Sequence, residues 1–351
     1  MSARPLRRLF LSSLLLSGLV ALPVFAQTSK EPKPIGAPVL WRNPGNISQR
    51  NLTYGAGSAD LAPLAPFTFV KEEITGESPK FDVTDANGVT WVVKVGIEAQ
   101  AETVATRLVW SVGYFVDEAY YLDRAEIKNL PKLSRGQEFI EKGSVVRGAR
   151  FEPKRKSIKR GDNWDWEANP FLKSRELDGL KVLMALLANY DTRIANNKIL
   201  STPNPETGEL EARYVAADIG ATFGKVGGLG GKRSKNSLED YRASKFILGV
   251  ENGFVKFDYN TKPKGFGMFA SVFKPSYRSS QAQKERVMKN ITVENAKWIG
   301  SLLSQLGDEQ LRDAFRAANY DQKTMDGFVA IIRDRINQLN KLDASFATSR
   351  R

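Results

Sequence analysis

The sequence predicts an α+β fold of two lobes, a β-rich N-lobe that contains one key helix and a mainly helical C-lobe. Between residues 67 and 165, short segments alternate apolar and polar residues, which is the period of half-buried strands. After about residue 165, apolar residues instead recur at the spacing of amphipathic helices. The chain shows no internal repeat, and its 351 residues suit one large two-lobed domain.

The elements of the N-lobe follow from local patterns. FTFV, KFDVTD and VTWVVKV, which begin at residues 67, 80 and 89, have the composition of strands. Asn87-Gly88 between the last two indicates a hairpin turn, because both residues tolerate positive φ. A helix is expected over 98–113, ending at Gly113, and further strands are expected over 114–122 and 143–153.

In the C-lobe, the segment that Pro170 opens is predicted to be helical. Its apolar residues fall at i, i+3, i+4 and i+7, at Leu180, Leu183, Met184 and Leu187. A hairpin is predicted over 198–217, with its turn at Pro205–Gly208. Two more apolar stripes predict helices that face the core, and they comprise Ile299, Leu302, Leu303 and Leu306, and Phe328, Ile331, Ile332 and Leu339.

Residues 1–26 have the pattern of a cleavable export signal. An arginine-rich start precedes a broken apolar run, and Val24 and Ala26 stand at −3 and −1 of a cut after Ala26. A membrane anchor is the alternative, but the run is short, and no second apolar stretch of about 20 residues follows. Arg7-Arg8 fits both a general secretory and a twin-arginine signal, so the export route stays open.

The remaining boundaries are compositional. Residues 27–66 are rich in Pro, Gly, Asn and Ser and are expected to form an extended arm or linker before an N-lobe over 67–165 and a C-lobe over 166–342. Residues 343–351 are expected to be a disordered tail. An exported protein of this size without cysteine fits a bacterial periplasmic or secreted location, since eukaryotic secreted domains usually contain disulfides.

Composition limits the chemistry, because the chain has neither cysteine nor histidine. This excludes Ser-His-Asp and Cys-His catalysis, histidine or thiolate metal sites, and thiol redox chemistry. What remains is chemistry on carboxylates, amides, hydroxyls and lysine, with an oxygen-ligated cation such as Mg²⁺. The formal net charge of +13 favours acidic partners, although nucleic acid is not expected for an exported protein.

Several carboxylate, amide and lysine side chains lie in patterns that suit this chemistry. Asp191 and Asn196 form a D-x-x-x-x-N pattern just after a predicted buried helix, and Asp218-Ile-Gly follows a short apolar strand. Lys94 lies in the strand WVVKV, and Glu102 lies one helix later. A lysine that points inward from a strand needs a carboxylate partner to remain charged.

In this order, these residues resemble the protein-kinase-like fold: a strand lysine, a helix glutamate, a catalytic Asp with Asn five residues on, and a metal-binding Asp-x-Gly. The details resemble the atypical kinases, meaning the HipA-like, phosphoinositide-kinase-like and secreted groups. Asn189-Tyr190 precedes Asp191 where the HRD motif has His-Arg. The third motif is Asp218-Ile-Gly instead of Asp-Phe-Gly, and a short Gly76–Lys80 loop replaces G-x-G-x-x-G.

The resemblance implies an ATP and Mg²⁺ site between the lobes. Lys94 would hold the α- and β-phosphates, and Asp191 would accept the proton of the attacking hydroxyl. Glu98 is the rival of Glu102 as partner of Lys94, since it lies one turn earlier on the same helix face, and Asn197 could share the metal role. The implied site comprises Asp191, Lys94 and Glu102 as catalytic residues, Gly76, Ser78, Lys80 and Lys94 around the nucleotide, and Asn196 and Asp218 as metal ligands.

Two other segments have plausible roles. The glycine-rich stretch 224–233 fails the P-loop pattern, because Val226 and Arg233 stand where Gly and Ser or Thr are required. It resembles an activation segment, and a plain loop is equally consistent. The basic run over 147–160 is either a solvated loop or an attachment point for an acidic acceptor, an anionic lipid or a cell-wall polymer. Trp164 and Trp166 could anchor the loop on the C-lobe or stack on a ligand, and anchoring is the expectation.

The function expected from the resemblance is that of an exported kinase-like phosphotransferase that uses ATP and Mg²⁺ on an unidentified hydroxyl acceptor. The first alternative is a kinase-fold binding protein of the periplasm that is catalytically silent or transfers another group. The second alternative is an unrelated periplasmic α/β binding protein in which the motifs are coincidental. No integral membrane span is expected after removal of the signal.

Overall fold

A six-stranded sheet builds the N-lobe of the computed structural model, which describes residues 36–155, 158–227, 233–259 and 282–343. The strand order is β4-β3-β2-β5-β7-β6. Strand β4 also pairs with β7, so that β4, β3, β2, β5 and β7 form a closed ring of strands. Helix α1 (Glu98–Ser111) follows β4 and packs against the sheet. The strands are β2 (Phe67–Glu73), β3 (Lys80–Thr84), β4 (Thr90–Val95), β5 (Tyr120–Lys128), β6 (Ile140–Glu141) and β7 (Val145–Pro153), after a first strand β1 (Ala37–Val39) outside this sheet.

The β3–β4 hairpin and helix α1 confirm their local sequence patterns. Gly88 has a φ of +75°, and its N–H donates to the Asp85 carbonyl, which closes the predicted turn. Helix α1 ends before Gly113, whose φ of +99° suits glycine. A Cβ at Gly113 would lie 2.2 Å from the Arg42 carbonyl oxygen, so close packing requires glycine here as well.

The strand predicted over 114–122 is wrong in its first half, because β5 begins only at Tyr120. Residues 114–119 connect to the C-lobe instead of the sheet. The Ala216 N–H donates to the Phe115 carbonyl, and Asp117 pairs with Lys198 at 2.5 Å. Contacts with the other lobe therefore override the strand propensity of this segment.

The C-lobe combines a four-stranded sheet in the order β1-β10-β9-β8 with helices and a separate two-stranded sheet at its periphery. The predicted hairpin over 198–217 is confirmed by β9 and β10. Helix α2 begins five residues after Pro170, because the Ser174 hydroxyl accepts a hydrogen bond from the Leu177 N–H as an N-cap. The elements are β8 (Lys159–Arg160), α2 (Arg175–Leu186), β9 (Asn197–Pro203), β10 (Leu210–Ala216), α3 (Leu238–Ala243), β11 (Ile247–Glu251), β12 (Phe254–Phe257), α4 (Val293–Leu303), α5 (Asp308–Arg316) and α6 (Gln322–Asn340).

The described part of the arm, residues 36–66, packs against the body of the protein. Strand β1 pairs in parallel with β10 of the C-lobe. Leu40, Ile47 and Leu52 are buried in the main core, although this segment shows no helical or strand periodicity. Full burial of such a side chain contributes about 1.5–3 kcal/mol, so the arm adds to the stability of the fold.

The buried apolar residues form two hydrophobic cores. The smaller one fills the N-lobe sheet, and the larger one joins α1, the arm and the C-lobe helices. Trp164 and Trp166 are buried in the larger core, and the Trp164 indole N–H donates to the Val215 carbonyl at 2.9 Å. The predicted anchoring of the two tryptophans is thus confirmed.

Several predicted segments fall outside the described residues. They are the signal segment 1–26, half of the glycine-rich stretch 224–233 (its residues 228–232), and nearly all of the tail, residues 344–351. Among the residues that the structure does describe, no helix is both long and apolar enough to cross a membrane.

Candidate functional site

Lys94 is the centre of a charge cluster that joins the two lobes. Its side chain is buried, and its ammonium lies 2.7 Å from Glu98, 2.9 Å from Glu102 and 2.8 Å from Asp218. The two glutamates belong to α1 of the N-lobe, whereas Asp218 follows β10 of the C-lobe. The structure therefore brings together three of the residues selected from the sequence and also the rival, Glu98.

Glu98 and Glu102 have different second partners. Glu102 is fully buried and lies 3.3 Å from the Arg150 guanidinium of β7. Glu98 is partly exposed, accepts a hydrogen bond from the Ser78 hydroxyl at 2.8 Å, and pairs with Lys235. Because both carboxylates contact Lys94, the choice that the sequence left open has no single answer.

The charges at this cluster shift its pKa values in opposite directions. Burial alone would raise the pKa of Glu98, but Lys94 and Lys235 lower it from 4.5 to about 2. Burial alone would lower the pKa of Lys94, and the three carboxylates raise it well above its usual value instead. Burial raises the pKa of Glu102, against the opposing effect of Arg150 and Lys94. Lys94 is therefore held as a cation by the carboxylates around it.

Asp218 reaches Lys94 because the loop after β10 comes very close to α1. A Cβ at Gly220 would lie 3.0 Å from the Glu98 Cβ and 3.1 Å from Glu102 Oε2, so only glycine fits without displacement. Asp218 has a φ of +26°, and its side chain is 54% exposed. This explains the Asp-x-Gly pattern in physical terms: the glycine permits the approach, and the aspartate faces the opening between the lobes.

Asp191 is the centre of a second cluster. Its Oδ1 accepts from the Lys284 ammonium at 2.9 Å, and its Oδ2 accepts from Arg193 at 2.5 Å and from the Asn196 amide at 3.0 Å. The Asn196 amide also donates to the Asp191 carbonyl, at 2.8 Å. Burial alone would raise the pKa of Asp191, but Lys284 and Arg193 lower it. Asp191 is thus held as an oriented anion.

The structure assigns different surroundings to the two asparagines. Asn196 holds the Asp191 loop, as described above, and is nearly buried. Asn197 is buried, and its amide donates to the Trp164 carbonyl at 3.0 Å. Asn197 therefore acts as a structural link between the loop and the tryptophan anchor, which leaves Asn196 as the asparagine beside Asp191.

The loop between β2 and β3 lies over this region. Its Ser78 contacts Glu98, as stated above, and the Gly76 carbonyl accepts from Arg135 at 2.6 Å. Lys80 is the first residue of β3 and pairs in register with Lys94 of β4. Its ammonium lies 3.5 Å from where a Cβ on Gly76 would stand. Lys80 thus lies beside Lys94 in the sheet, Ser78 contacts a partner of Lys94, and Gly76 is held by Arg135.

Sequence reasoning missed a chain of buried ion pairs that begins at Lys94. Arg150 links Glu102 to Glu152, and Lys198 of the C-lobe contacts Glu152 at 3.1 Å and Asp117 at 2.5 Å. Positive and negative groups alternate along the whole chain. Burial and Glu152 raise the pKa of Asp117 to about 6, despite the nearby Lys198. The sequence indicates part of this chain of ion pairs, since Arg150 and Glu152 alternate with apolar residues in the strand predicted over 143–153.

The basic run over 147–160 is largely neutralised by acids. Apart from the buried Arg150, Arg147 pairs with Glu141, Lys154 with Asp82, and Arg155 with Glu118. Pairing of this kind weakens the long-range field of a basic segment. The structure thus gives less support to an acidic acceptor bound at this run than its sequence does.

A cavity of about 860 Å³ opens between the lobes on the far side of the ion-pair chain. Its roof includes Val92 of β4 and Glu152 at the end of β7, and its floor includes Lys198 and Leu200 of β9. Val92 precedes Lys94 by two residues, so both side chains lie on the same face of β4. The volume is in the range of pockets that bind small ligands.

A divalent cation fits the first cluster. Oxygen atoms of Glu98, Glu102 and Asp218 lie within 4.8 Å of one another. Carboxylate oxygens are the donors that hard cations such as Mg²⁺ prefer, and the Lys94 ammonium shows that the three groups together already hold a positive charge. Asp218 is the member that faces the opening between the lobes.

Comparison with solved structures finds kinases at low identity, whereas no protein-family model and no curated protein matches the chain. The Golgi casein kinase with Mn/ADP bound has a TM-score of 0.35 and 11% identity, over 85% of this chain and 80% of that one. The Helicobacter pylori proinflammatory kinase CtkA has a TM-score of 0.34 and 12% identity, over 79% of this chain and 97% of that one. The amicoumacin kinase hAmiN, in complex with AMP-PNP, Ca²⁺ and Ami, has a TM-score of 0.21 and 10% identity, over 81% and 92% of the two chains.

The predicted α+β arrangement of a β-rich N-lobe and a mainly helical C-lobe is confirmed by the observed elements. With TM-scores of 0.35 or less, these likenesses carry no argument about this chain. The function must be argued from the side chains described above.

Proposed function

We propose that this protein is a kinase-like phosphotransferase that uses ATP and a divalent cation, Mg²⁺ in the first instance, to phosphorylate a hydroxyl acceptor. The observation that carries the proposal is the meeting of Lys94 and Glu102 from one lobe with Asp218 from the other, within 2.9 Å. Phosphoryl transfer depends on positioned charge more than on covalent chemistry. A permanent cation, hard oxygen donors and an oriented anion satisfy that requirement without histidine or cysteine.

Each residue has a definite role in this proposal. Lys94 binds the α- and β-phosphates and is oriented by Glu102. Ser78 and Lys80 cover the phosphates from the β2–β3 loop. A cation held by Asp218 and Asn196 would neutralise phosphate charge, and Glu98 lies close enough to Asp218 to take part. We assign the base and ribose to the cavity lined by Val92, because Val92 and Lys94 lie on the same face of β4.

The transfer step balances with Asp191 as the proton acceptor. The acceptor oxygen forms a bond to the γ-phosphorus, and the bond from that phosphorus to the β–γ bridging oxygen breaks. The electron pair of the broken bond leaves with ADP, and the hydroxyl proton passes to the Asp191 carboxylate. A carboxylate of low pKa is a weak base, so its main contribution is to orient the hydroxyl, as suits a loose transition state.

We also propose that the protein is exported to the periplasm or secreted, on the basis of the arginine-rich start and apolar run of residues 1–26. N-terminal sequencing of the protein from the periplasmic fraction of a bacterial host tests this. A mature chain that begins at Gln27 is expected. A full-length chain confined to the cytoplasm would contradict the proposal.

The function itself is tested by ligand-induced thermal stabilisation, followed by ATP turnover. The mature protein is titrated with ATP and Mg²⁺ beside the Asp218→Ala and Lys94→Ala variants, with Glu251→Ala, an exposed carboxylate on β11, as the control. Because a ligand of the native state stabilises it by RT ln(1 + [L]/Kd), the wild type and the control should show a rise in Tm. The two site variants should show little or none.

Turnover separates a transferase from a silent binding protein. Release of phosphate from γ-labelled ATP to water is measured on the same four proteins. Slow hydrolysis by the wild type and the control, lost in Asp218→Ala, is the expected result. Binding without hydrolysis would favour the silent alternative, and absence of both up to millimolar ATP would refute the nucleotide site.

A further inference from the structure

The hydrogen bonds around Asp191 leave a specific place for an acceptor hydroxyl. An ionised carboxylate offers about two lone-pair positions on each oxygen. Oδ2 already accepts from Arg193 at 2.5 Å and from Asn196 at 3.0 Å, which accounts for both of its positions. Among the hydrogen bonds between described residues, Oδ1 accepts one, from Lys284 at 2.9 Å, which leaves a second position on that oxygen.

Lys284 comes from a helical stretch, residues 282–287, far from the predicted site in sequence. It is only 4% exposed, although a lysine is rarely buried without a charged partner. Burial lowers the pKa of its ammonium, and Asp191 opposes that effect. Within the described residues, the ion pair with Asp191 Oδ1 offsets the desolvation cost of burying this side chain.

We propose that Lys284 is a positioning residue for phosphoryl transfer: its ammonium shares Asp191 Oδ1 with the acceptor hydroxyl and thereby selects the oxygen that receives the proton. This proposal rests on the function proposed above. Two donors on one carboxylate oxygen lie within a few ångströms of each other, so Lys284 also stands beside the acceptor oxygen as negative charge accumulates there. Its charge offsets that of Asp191, which otherwise would repel the γ-phosphate.

Lys284 takes no part in the bonds that form and break during the transfer. The acceptor oxygen bonds to the γ-phosphorus, the bond to the bridging oxygen breaks, and the proton goes to Asp191 Oδ1. Lys284 keeps its own protons throughout. Its effect is therefore on the orientation of Asp191 and on charge, and it should alter turnover much more than nucleotide binding.

The experiment measures single-turnover hydrolysis of γ-labelled ATP, with water as the acceptor, and the Kd of ATP with Mg²⁺. The variants are Lys284→Met, Lys284→Arg, Asp191→Asn and the double variant Lys284→Met with Asp191→Asn. Arg286→Gln is the matched control, since Arg286 lies on the same helical stretch and pairs with Glu167 in an exposed position. Thermal unfolding of each variant is recorded so that misfolded samples are recognised.

We expect Lys284→Met to lower the rate constant by about 100-fold, within the range typical of general-base groups, with the ATP Kd within about threefold of wild type. Lys284→Arg should recover at least about tenfold of this loss, because it restores a cation on Oδ1. The double variant should be no slower than Asp191→Asn alone, since residues that act as a unit are not additive. Arg286→Gln should match the wild type.

Three results would overturn the proposal. One is wild-type turnover in Lys284→Met. Another is a loss of ATP affinity in Lys284→Met equal to its loss of rate, which indicates a structural role. The third is an additive double variant. If Lys284→Met does not fold, the rate of Lys284→Arg tests the proposal instead. A rate for Lys284→Arg as low as that of Asp191→Asn would contradict a role for the positive charge beside Asp191 Oδ1. A wild type that binds ATP but never hydrolyses it refutes the transferase function first, and this inference falls with it.

Discussion

Replacing Lys94 by methionine tests the charge balance at the candidate site. Methionine keeps most of the volume of the side chain and removes its charge. In the native protein the Lys94 ammonium lies within 2.9 Å of Glu98, Glu102 and Asp218. The variant leaves these carboxylates with Arg150 and Lys235 as their remaining partners, so we expect it to be less stable at neutral pH.

The expected loss in free energy of unfolding follows from the pKa of Glu98. Burial alone would raise its pKa, yet Lys94 and Lys235 lower it from 4.5 to about 2. At about 1.4 kcal/mol for each pH unit, this difference corresponds to about 3 kcal/mol. Breaking a buried ion pair costs a similar amount, about 3–5 kcal/mol. With an unfolding entropy of about 2.1 cal/mol/K per residue over roughly 300 residues, a loss of about 3 kcal/mol lowers Tm by about 5 °C.

The loss should also depend on pH in a definite direction. In the wild type, the depressed pKa of Glu98 stabilises the fold above pH 4.5, and this contribution disappears as the pH falls towards 2. In Lys94→Met, burial acts on the carboxylates with less opposition, so their folded-state pKa values rise. Protonation then restores stability to the variant as the pH falls from 7 towards 5. The Tm difference should therefore shrink on acidification.

The assay is calorimetric unfolding at pH 7 and pH 5 of the wild type, Lys94→Met and a control, Lys256→Met. Lys256 pairs with Glu251 in an exposed position, and its replacement should leave Tm unchanged at both values. A Lys94→Met protein as stable as the wild type at pH 7 would refute the reasoning. So would a Tm difference that grows as the pH falls.

Three further variants follow from the structure. Arg150→Met leaves the buried Glu102 with Lys94 as its cation, and we expect about tenfold weaker ATP binding by thermal-shift titration, together with a lower Tm. Ser78→Ala removes one hydrogen bond from the β2–β3 loop to α1, so the ATP Kd should rise by less than tenfold at unchanged Tm. Gly113→Ala places a Cβ 2.2 Å from the Arg42 carbonyl oxygen at a φ of +99°, and denaturant unfolding should show a loss above about 2 kcal/mol. An unchanged denaturation midpoint for Gly113→Ala would contradict the close packing described there.

The residues that sequence reasoning located share one property: each stands in a short pattern with a local structural meaning. Lys94 lies in an apolar strand, Asp191 follows a helix, and Asp218 precedes a glycine that close packing requires. It was the resemblance to the kinase-like fold that implied a site in which Lys94, Glu102 and Asp218 take part, and the structure brings these three together. The prediction of a strand was wrong over 114–119, because the contacts of these residues lie in the other lobe and no local pattern reveals them.

The residues that sequence reasoning missed are defined by long-range pairing. Lys284 is 93 residues from Asp191 along the chain, and Lys198 is 46 residues from Glu152. A lysine or a glutamate carries no sign of its partner in the sequence, and the ordinary expectation for either is an exposed surface position. The choice between Glu98 and Glu102 as partner of Lys94 stayed open for another reason. Both lie on one face of α1, and the geometry of a helix lets both reach Lys94.

The ion-pair chain has contacts between the lobes at both of its ends. At one end Lys94 contacts Asp218, and at the other Lys198 of the C-lobe contacts Asp117 and Glu152 of the N-lobe. The side chain of Asp218 is 54% exposed, whereas Asp117 and Lys198 are nearly buried. Water can replace the partner of an exposed charge but not that of a buried one, so separation costs less at the Asp218 end.

Ligand entry that separates the lobes should therefore open the Asp218 end and leave the Lys198 end closed. Because the chain lacks cysteine, spin labels can be placed on Val70→Cys and Leu248→Cys, which replace exposed residues of the two lobes. Asp218→Asn should change the distance distribution between the labels only slightly, because that contact already exchanges with water. Lys198→Met should broaden it clearly, because Asp117 and Glu152 then lose the ammonium that contacts both of them and repel each other. Equal distributions in the two variants would mean that packing, and not this chain of charges, holds the lobes together.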